Sequence, residues 1–196
     1  DYSLILPVFC LLFIGIVAIY IAVSHDYPKN VWPIVGQQIA WIALGTVISL
    51  IIMLFNTKFL WQITPYLYVF GLSLMVLPLI FYSSELVAST GAKNWVTIGR
   101  VTLFQPSEFM KISYILMLSR VVVNFLQRHK DRERTVQLDF FLIFELALYT
   151  LPVLILLALQ SDLGTALVFI AIFSGIVLLS GVSWKIIVPV VLTILV

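Results

Sequence analysis

The sequence predicts an all-α polytopic membrane protein, and three observations carry that prediction. Hydrophobic residues fill 62% of the 196 positions and charged residues only 10%, far from the balance of a soluble domain. Apolar runs of about 20 residues recur along the chain, each long enough to cross a hydrocarbon core as a helix. Prolines, charges and polar residues gather between those runs, where backbone can leave the helix without stranding N–H and C=O groups in lipid. The formal net charge of +2 is too small to argue for nucleic acid as a partner. Cys10 is the single cysteine, so the chain holds no disulfide framework and no zinc-ligand spacing; it reads as packing.

Taken in order, the first span covers 3–24, and His25, Asp26, Pro28, Lys29 and Pro33 form a short turn outside the hydrocarbon. The second span covers 34–55 and the third 60–81, with Pro65 near its start and Pro78 near its end. Pro78 is expected to kink that helix. The outer connection 82–105 is long for packed helices, which favours a functional or lid-like role. The fourth span, 106–126, opens on Pro106, a residue suited to the first helical position. The connection 127–137 is the densest charge run in the chain and needs no role beyond setting topology. The fifth span, 138–159, breaks at Gln160-Ser161-Asp162-Leu163-Gly164-Thr165, and a sixth continues over 164–179. A seventh starts at 186 and stops with the sequence at 196, and position 1 is Asp rather than Met. The chain is therefore read as one incomplete transmembrane domain, 1–196, of a longer protein. The first run is too long for a signal core and lacks a cleavage pattern.

Basic residues set the orientation. With the N-terminus inside, the inner connections hold Lys58, then Arg128, Lys130, Arg132 and Arg134, then Lys185; the outer ones hold only Lys29, Lys93 and Arg100. The positive-inside rule favours that arrangement, and it puts 82–105 and 160–164 on the outer side.

The candidates for chemistry cluster at that outer side. Glu108 and Lys111 are three residues apart and share a helix face. A charge near mid-span costs about 2.5–3.5 kcal/mol, less near the interface, so two at the mouth of one span ask for a reason. Glu108 lies at the third position of the helix beginning at Pro106 and suits the positive end of its dipole. Lys111, about 7 Å below the helix start, is poorly placed for the dipole; snorkelling to the surface is its structural alternative. Asp162 precedes Leu163 as an ordinary N-cap, at the membrane depth of the other two. Two carboxylates and an ammonium could steer a phosphorylated group, and Glu108 and Asp162 are candidate ligands for a divalent cation, Mg or Mn. Trp95, Arg100, Gln105 and Ser107 are candidate substrate contacts, with Lys93 and Arg100 the cations able to meet an anionic head group. Arg120 and Glu145 lie about 10 Å deep from the inner ends of their spans and are expected to pair, or at least to share one polar pocket, as a structural bridge.

Gly91-Ala-Lys-Asn-Trp95-Val-Thr-Ile-Gly99, then Gln105-Pro-Ser-Glu108-Phe-Met-Lys111, then Gln160-Ser-Asp162-Leu-Gly-Thr165 resemble, in order and spacing, the SEDS family of shape, elongation, division and sporulation proteins. Two positions depart from the family pattern: Asn94 stands where arginine is usual and Ser161 where proline is usual. The resemblance implies a ten-helix fold, of which this chain would supply six helices and the start of a seventh. It implies a peptidoglycan glycosyltransferase of the bacterial cytoplasmic membrane, acting for elongation and shape, with a division-type member as the alternative. Lipid II would be the substrate, undecaprenyl diphosphate the released product, and a class B penicillin-binding protein the partner. The family's essential loop aspartate, its favoured base, would lie beyond residue 196, leaving Glu108, Lys111 and Asp162 in supporting roles. From the residues alone, a flippase or transporter, or a scaffold for a penicillin-binding protein, remains open.

Overall fold

A computed structural model of the chain describes residues 2–26, 31–98, 101–130 and 133–183. The chain falls into two compact units, Asp1–Thr57 and Lys58–Val196. In the first, α1 (Tyr2–Asp26) and α2 (Val31–Met53) pack on each other. Both are apolar on every face, as membrane-embedded helices are, and the rings of Tyr20 and Trp32 meet at 6.3 Å where the two helices approach their connection.

The second unit takes α3 (Thr57–Ile80), α4 (Ser84–Thr90), β1 (Val96–Ile98), β2 (Val101–Phe104), α5 (Pro106–Arg128), α6 (Val136–Leu159) and α7 (Leu163–Leu179). Among the described residues five helices, α1, α2, α3, α5 and α6, are long and apolar enough to cross a membrane. The sixth expected span is α7, whose 17 residues reach about 25 Å. The seventh expected span lies outside the described residues.

The outer connection is more ordered than an open loop. Ser83 caps α4 by accepting from the Leu86 amide, and Gly91 ends it at φ 74°, a left-handed conformation that costs glycine nothing. β1 and β2 then pair antiparallel, with a register shift between Val96 and Thr97. Their Val, Thr, Ile and Phe residues suit a small pleated surface. The Thr97 amide donates to the Phe81 carbonyl at 3.1 Å, tying this hairpin to the end of α3.

α5 and α6 form the packed centre. α5 buries Met110, Tyr114, Met117, Leu118, Val121 and Phe125; α6 buries Leu142, Leu146, Thr150, Val153 and Leu157. Both series repeat every three or four residues, so each is one face of its helix. Tyr68 and Met75 of α3 and Phe169 and Val177 of α7 complete the cluster. In lipid such contact is held by close packing and hydrogen bonds rather than by water exclusion. Gly71 shows how close: a Cβ there would lie 2.7 Å from Met110 Sδ and 2.9 Å from Ser113 Oγ.

Near three prolines inside these helices, a polar side chain from elsewhere in the chain donates to a helix carbonyl. Pro65 has no N–H to offer the Trp61 carbonyl four residues earlier, and Arg120 Nη1 donates to that carbonyl instead, with its guanidinium 5.6 Å from the Trp61 ring centre. Beside Pro78, Gln160 Nε2 donates to the Met75 carbonyl at 2.6 Å; beside Pro152, the Tyr68 hydroxyl donates to the Tyr149 carbonyl at 2.5 Å. Thr150 spends its proton on the Leu146 carbonyl at 2.9 Å, so Tyr114 is the donor in the 2.7 Å bond between the two hydroxyls. Buried backbone polarity is thus met by side chains, as a solvent without hydrogen bonds requires.

The expected Arg120–Glu145 bridge is not formed. Glu145 is held by Arg128, whose Nη2 lies 2.7 and 3.0 Å from its two oxygens. Equal depth does not fix direction: Arg120 is turned toward α3 by the carbonyl Pro65 leaves open, while Arg128 reaches back from the last turn of α5. Nor does the charged connection only set topology. Arg134 Nε donates to buried Asp139 Oδ1 and Nη2 to the Ser180 carbonyl, both at 2.9 Å, and the Ser183 amide donates to Asp139 Oδ2 at 2.8 Å. These bonds fasten the start of α6 to the end of α7.

Replacing Arg120 by Met in the intact protein should cost about 1–3 kcal/mol by leaving the Trp61 carbonyl unmet. In a Pro65→Ala background, where an amide returns to that carbonyl, the cost of Arg120→Met should fall. Thermal unfolding of the four proteins in detergent measures both costs, and equal costs in the two backgrounds would refute this role for Arg120.

Candidate functional site

The turn between α6 and α7 gathers the predicted residues. Ser161 adopts φ 59°, its amide donates to the Ala158 carbonyl and the Asp162 amide to the Leu157 carbonyl, both at 3.0 Å. This double bond pattern closes the C-terminus of α6. A proline ring, fixed near φ −65° and lacking an amide, could form neither the conformation nor the first bond. Ser161 therefore builds this turn differently from the proline the resemblance makes usual there. Gln160, almost wholly buried, binds α3 through its side chain and accepts from the Lys93 amide at 2.8 Å through its carbonyl.

Asp162, 7% exposed, caps α7 and does more. Its Oδ1 accepts from the Thr165 amide at 3.0 Å; its Oδ2 accepts from the Thr165 hydroxyl and from Asn94 Nδ2, each at 2.7 Å. Gln105 Nε2 lies 3.5 Å from both Asp162 Oδ2 and Thr165 Oγ1, a longer contact. One carboxylate thus takes donors from the outer connection, the residue capping α5, and α7 itself. Burial pushes its carboxyl pKa up, but the Thr165 amide, the Asn94 amide and Thr165 hydroxyl, and the Lys111 charge together outweigh burial and hold it below the ordinary carboxylate range.

On α5, Lys111 Nζ donates to Glu108 Oε1 at 2.8 Å, with side-chain exposures of 25% and 62%. The field of Lys111 also reaches Asp162. The two carboxylates differ in character: Asp162 is fixed and buried, Glu108 is exposed. Glu108 does not reach back to cap α5: its side chain turns to Lys111, and Gln105 makes no side-chain cap bond. Ser107 is 2% exposed, and the buried atoms Asn94 Oδ1, Thr97 Oγ1 and Ser107 Oγ have no hydrogen-bond partner among the described residues. Trp95 is exposed beside Asn94. Lys93 sits with its ammonium 4.6 Å from the centre of the Tyr82 ring. Arg100 lies outside the described residues.

A divalent cation does not fit this arrangement. Both Asp162 oxygens are met by N–H and O–H donors, and Glu108 faces an ammonium. Among the described residues no group of three or more His, Cys, Asp or Glu is placed to hold a metal.

The sequence profile of the FtsW/RodA/SpoVE cell cycle proteins matches residues 2–196. The chain belongs to this family. RodA of Treponema pallidum is 28% identical over the whole of this chain and 42% of its own length; MrdB of Escherichia coli K12 is 30% identical over 95% of this chain and 45% of its own. FtsW of Thiomicrospira cyclica is 30% identical over 94% and 45%. The chain spans a little under half the length of these relatives. No solved structure matches it. The resemblance read from the three motifs agrees with the family match.

Within this FtsW/RodA/SpoVE member, the sequence pointed to Glu108, Lys111, Asp162 and Gln105, which the structure brings to one end of α5 and α7. It gave no sign of Asn94, Gln160 or Thr165 as the residues that hold them there. Asn94 and Gln160 do stand inside the quoted motifs, and Thr165 is three residues past an N-cap, where a capping partner belongs.

Because Asp162 binds a proton less readily folded than unfolded, the stability it contributes is complete above its unfolded pKa and is lost as pH falls through the lowered folded value. Asp162→Asn should therefore lower the melting temperature of the intact protein at neutral pH. The gap from the unmodified protein should narrow as the medium is acidified below the ordinary carboxylate range. A gap independent of pH would show that the carboxylate charge is not what holds the site.

Proposed function

We propose that this protein is a peptidoglycan glycosyltransferase that polymerises lipid II at the outer face of the bacterial cytoplasmic membrane and releases undecaprenyl diphosphate. The N-terminus is cytoplasmic in this reading, as the basic residues of the connections favour. A class B penicillin-binding protein is its partner. RodA and MrdB, with which the chain shares its family, carry the name peptidoglycan glycosyltransferase. The observation that carries the reading is the convergence at Asp162: the stretches around Asn94, Gln105–Lys111 and Asp162–Thr165 are distant in sequence and meet through hydrogen bonds and charge.

The chemistry agrees. Glycosyl transfer from a lipid diphosphate needs a base for the incoming hydroxyl and positive charge for the departing diphosphate. Lys111 supplies that charge. Asp162 holds the 82–105 connection against α7 through Asn94, so that Asn94 and the neighbouring Trp95 border the same space. Gln105 and Ser107 lie at the start of α5, and Arg100 is a second cation for the head group. The base is assigned to a later outer loop. A flippase is less well served, since these charges gather at one end of the helices rather than around a broken helix at mid-depth.

The intact protein, purified with its class B partner and given labelled lipid II, should form glycan strands in the presence of moenomycin, which silences other glycosyltransferases. Lys111→Ala should abolish strand formation while the protein still folds and enters the membrane. Normal strands from that variant would remove Lys111 from the mechanism, and none from the unmodified pair would overturn the activity itself.

A further inference from the structure

Glu108 and Asp162 stand in unlike relation to Lys111, and the difference suggests a division of labour. Asp162 cannot leave: it is buried, and three short hydrogen bonds from Asn94 and Thr165 fix both its oxygens. Glu108 is joined to the ammonium by one oxygen, and its side chain is 62% exposed. Exposed pairs of this kind are weak, so solvent or a stronger anion displaces them readily. An arriving phosphate carries more charge and more acceptor oxygens than a carboxylate, and charge-assisted bonds to it are correspondingly strong. The pair also lies at the start of α5, where the positive end of the helix dipole favours an anion.

We propose that Glu108 is a yielding counter-ion: it holds the Lys111 ammonium in place when the site is empty and swings away when a diphosphate group takes its position. This rests on the reading of Lys111 given above and adds the residue that governs its occupancy. Glu108 is a positioning residue in this scheme. Asp162, held by Asn94 and Thr165, is the anion that stays in place in both states. No bond is made or broken; one carboxylate–ammonium contact is exchanged for a phosphate–ammonium contact, and Glu108 moves into solvent.

The test is binding of inorganic diphosphate to the purified intact protein, followed calorimetrically in detergent at low salt. Removing the competing charge with Glu108→Gln should tighten binding about two- to five-fold, the range an exposed pair can account for. Lys111→Gln should abolish binding, and the double variant should match Lys111→Gln. Melting curves of each variant establish that it is folded. Unchanged or weaker binding by Glu108→Gln, residual binding by Lys111→Gln, or no binding by the unmodified protein would each overturn the proposal. Strand formation from lipid II, measured in parallel, separates this outcome from the activity: a protein that polymerises normally but fails the diphosphate test loses only the counter-ion role.

Discussion

The buried carboxylate of Asp162 is the constraint on which the rest of the site depends. A charge in so enclosed a place is costly unless donors surround it. The chain supplies them from elements that would otherwise have little reason to meet: Asn94 from the outer connection, Gln105 from the head of α5, and Thr165 from α7. Satisfying one anion therefore folds the outer connection down onto the helix ends. Gln160, next but one in sequence, extends the same hold to α3 and to the Lys93 amide. The left-handed backbone of Ser161 is what lets both neighbours point where they do.

A similar economy runs through the helices. Lipid offers no hydrogen bonds, so each internal proline creates a need that only another part of the protein can meet. Arg120 answers Pro65 at the Trp61 carbonyl, and Gln160 and Tyr68 add bonds to the Met75 and Tyr149 carbonyls, so that α3 is linked to α5 and α6. At the other end of α6, Arg134 and Asp139 fasten the turn after α7. The helix pair α6 and α7 is thus pinned at both ends by an aspartate, with the outer one facing the functional residues.

Much of this was legible in the sequence. The spans were, because nothing but a membrane helix uses 20 apolar residues in a row, and the described helices begin and end within a few residues of the expected limits. Glu108 and Lys111 were legible because three-residue spacing places side chains together on any helix. The hairpin was not read, although Val96-Thr97-Ile98 and Val101–Phe104 around a glycine carry its pattern; short strands in a polar connection look like loop. Arg120 and Glu145 were misjudged because sequence gives depth along a helix but not the direction a long side chain takes. An open carbonyl at Trp61 follows from Pro65, yet nothing in sequence says which helix will supply its donor. The role of Asn94 depends wholly on tertiary contact, which no local pattern encodes.

The coupling between Asn94 and Asp162 tests the central claim most directly. In a double-mutant cycle on the intact protein, Asn94→Ala and Asp162→Ala should be non-additive in unfolding free energy, with an interaction term of about 0.5–3 kcal/mol, because each removes the same bond. Additivity to within about 0.3 kcal/mol would mean that the outer connection is not held by Asp162, and the site described here would not exist as a unit.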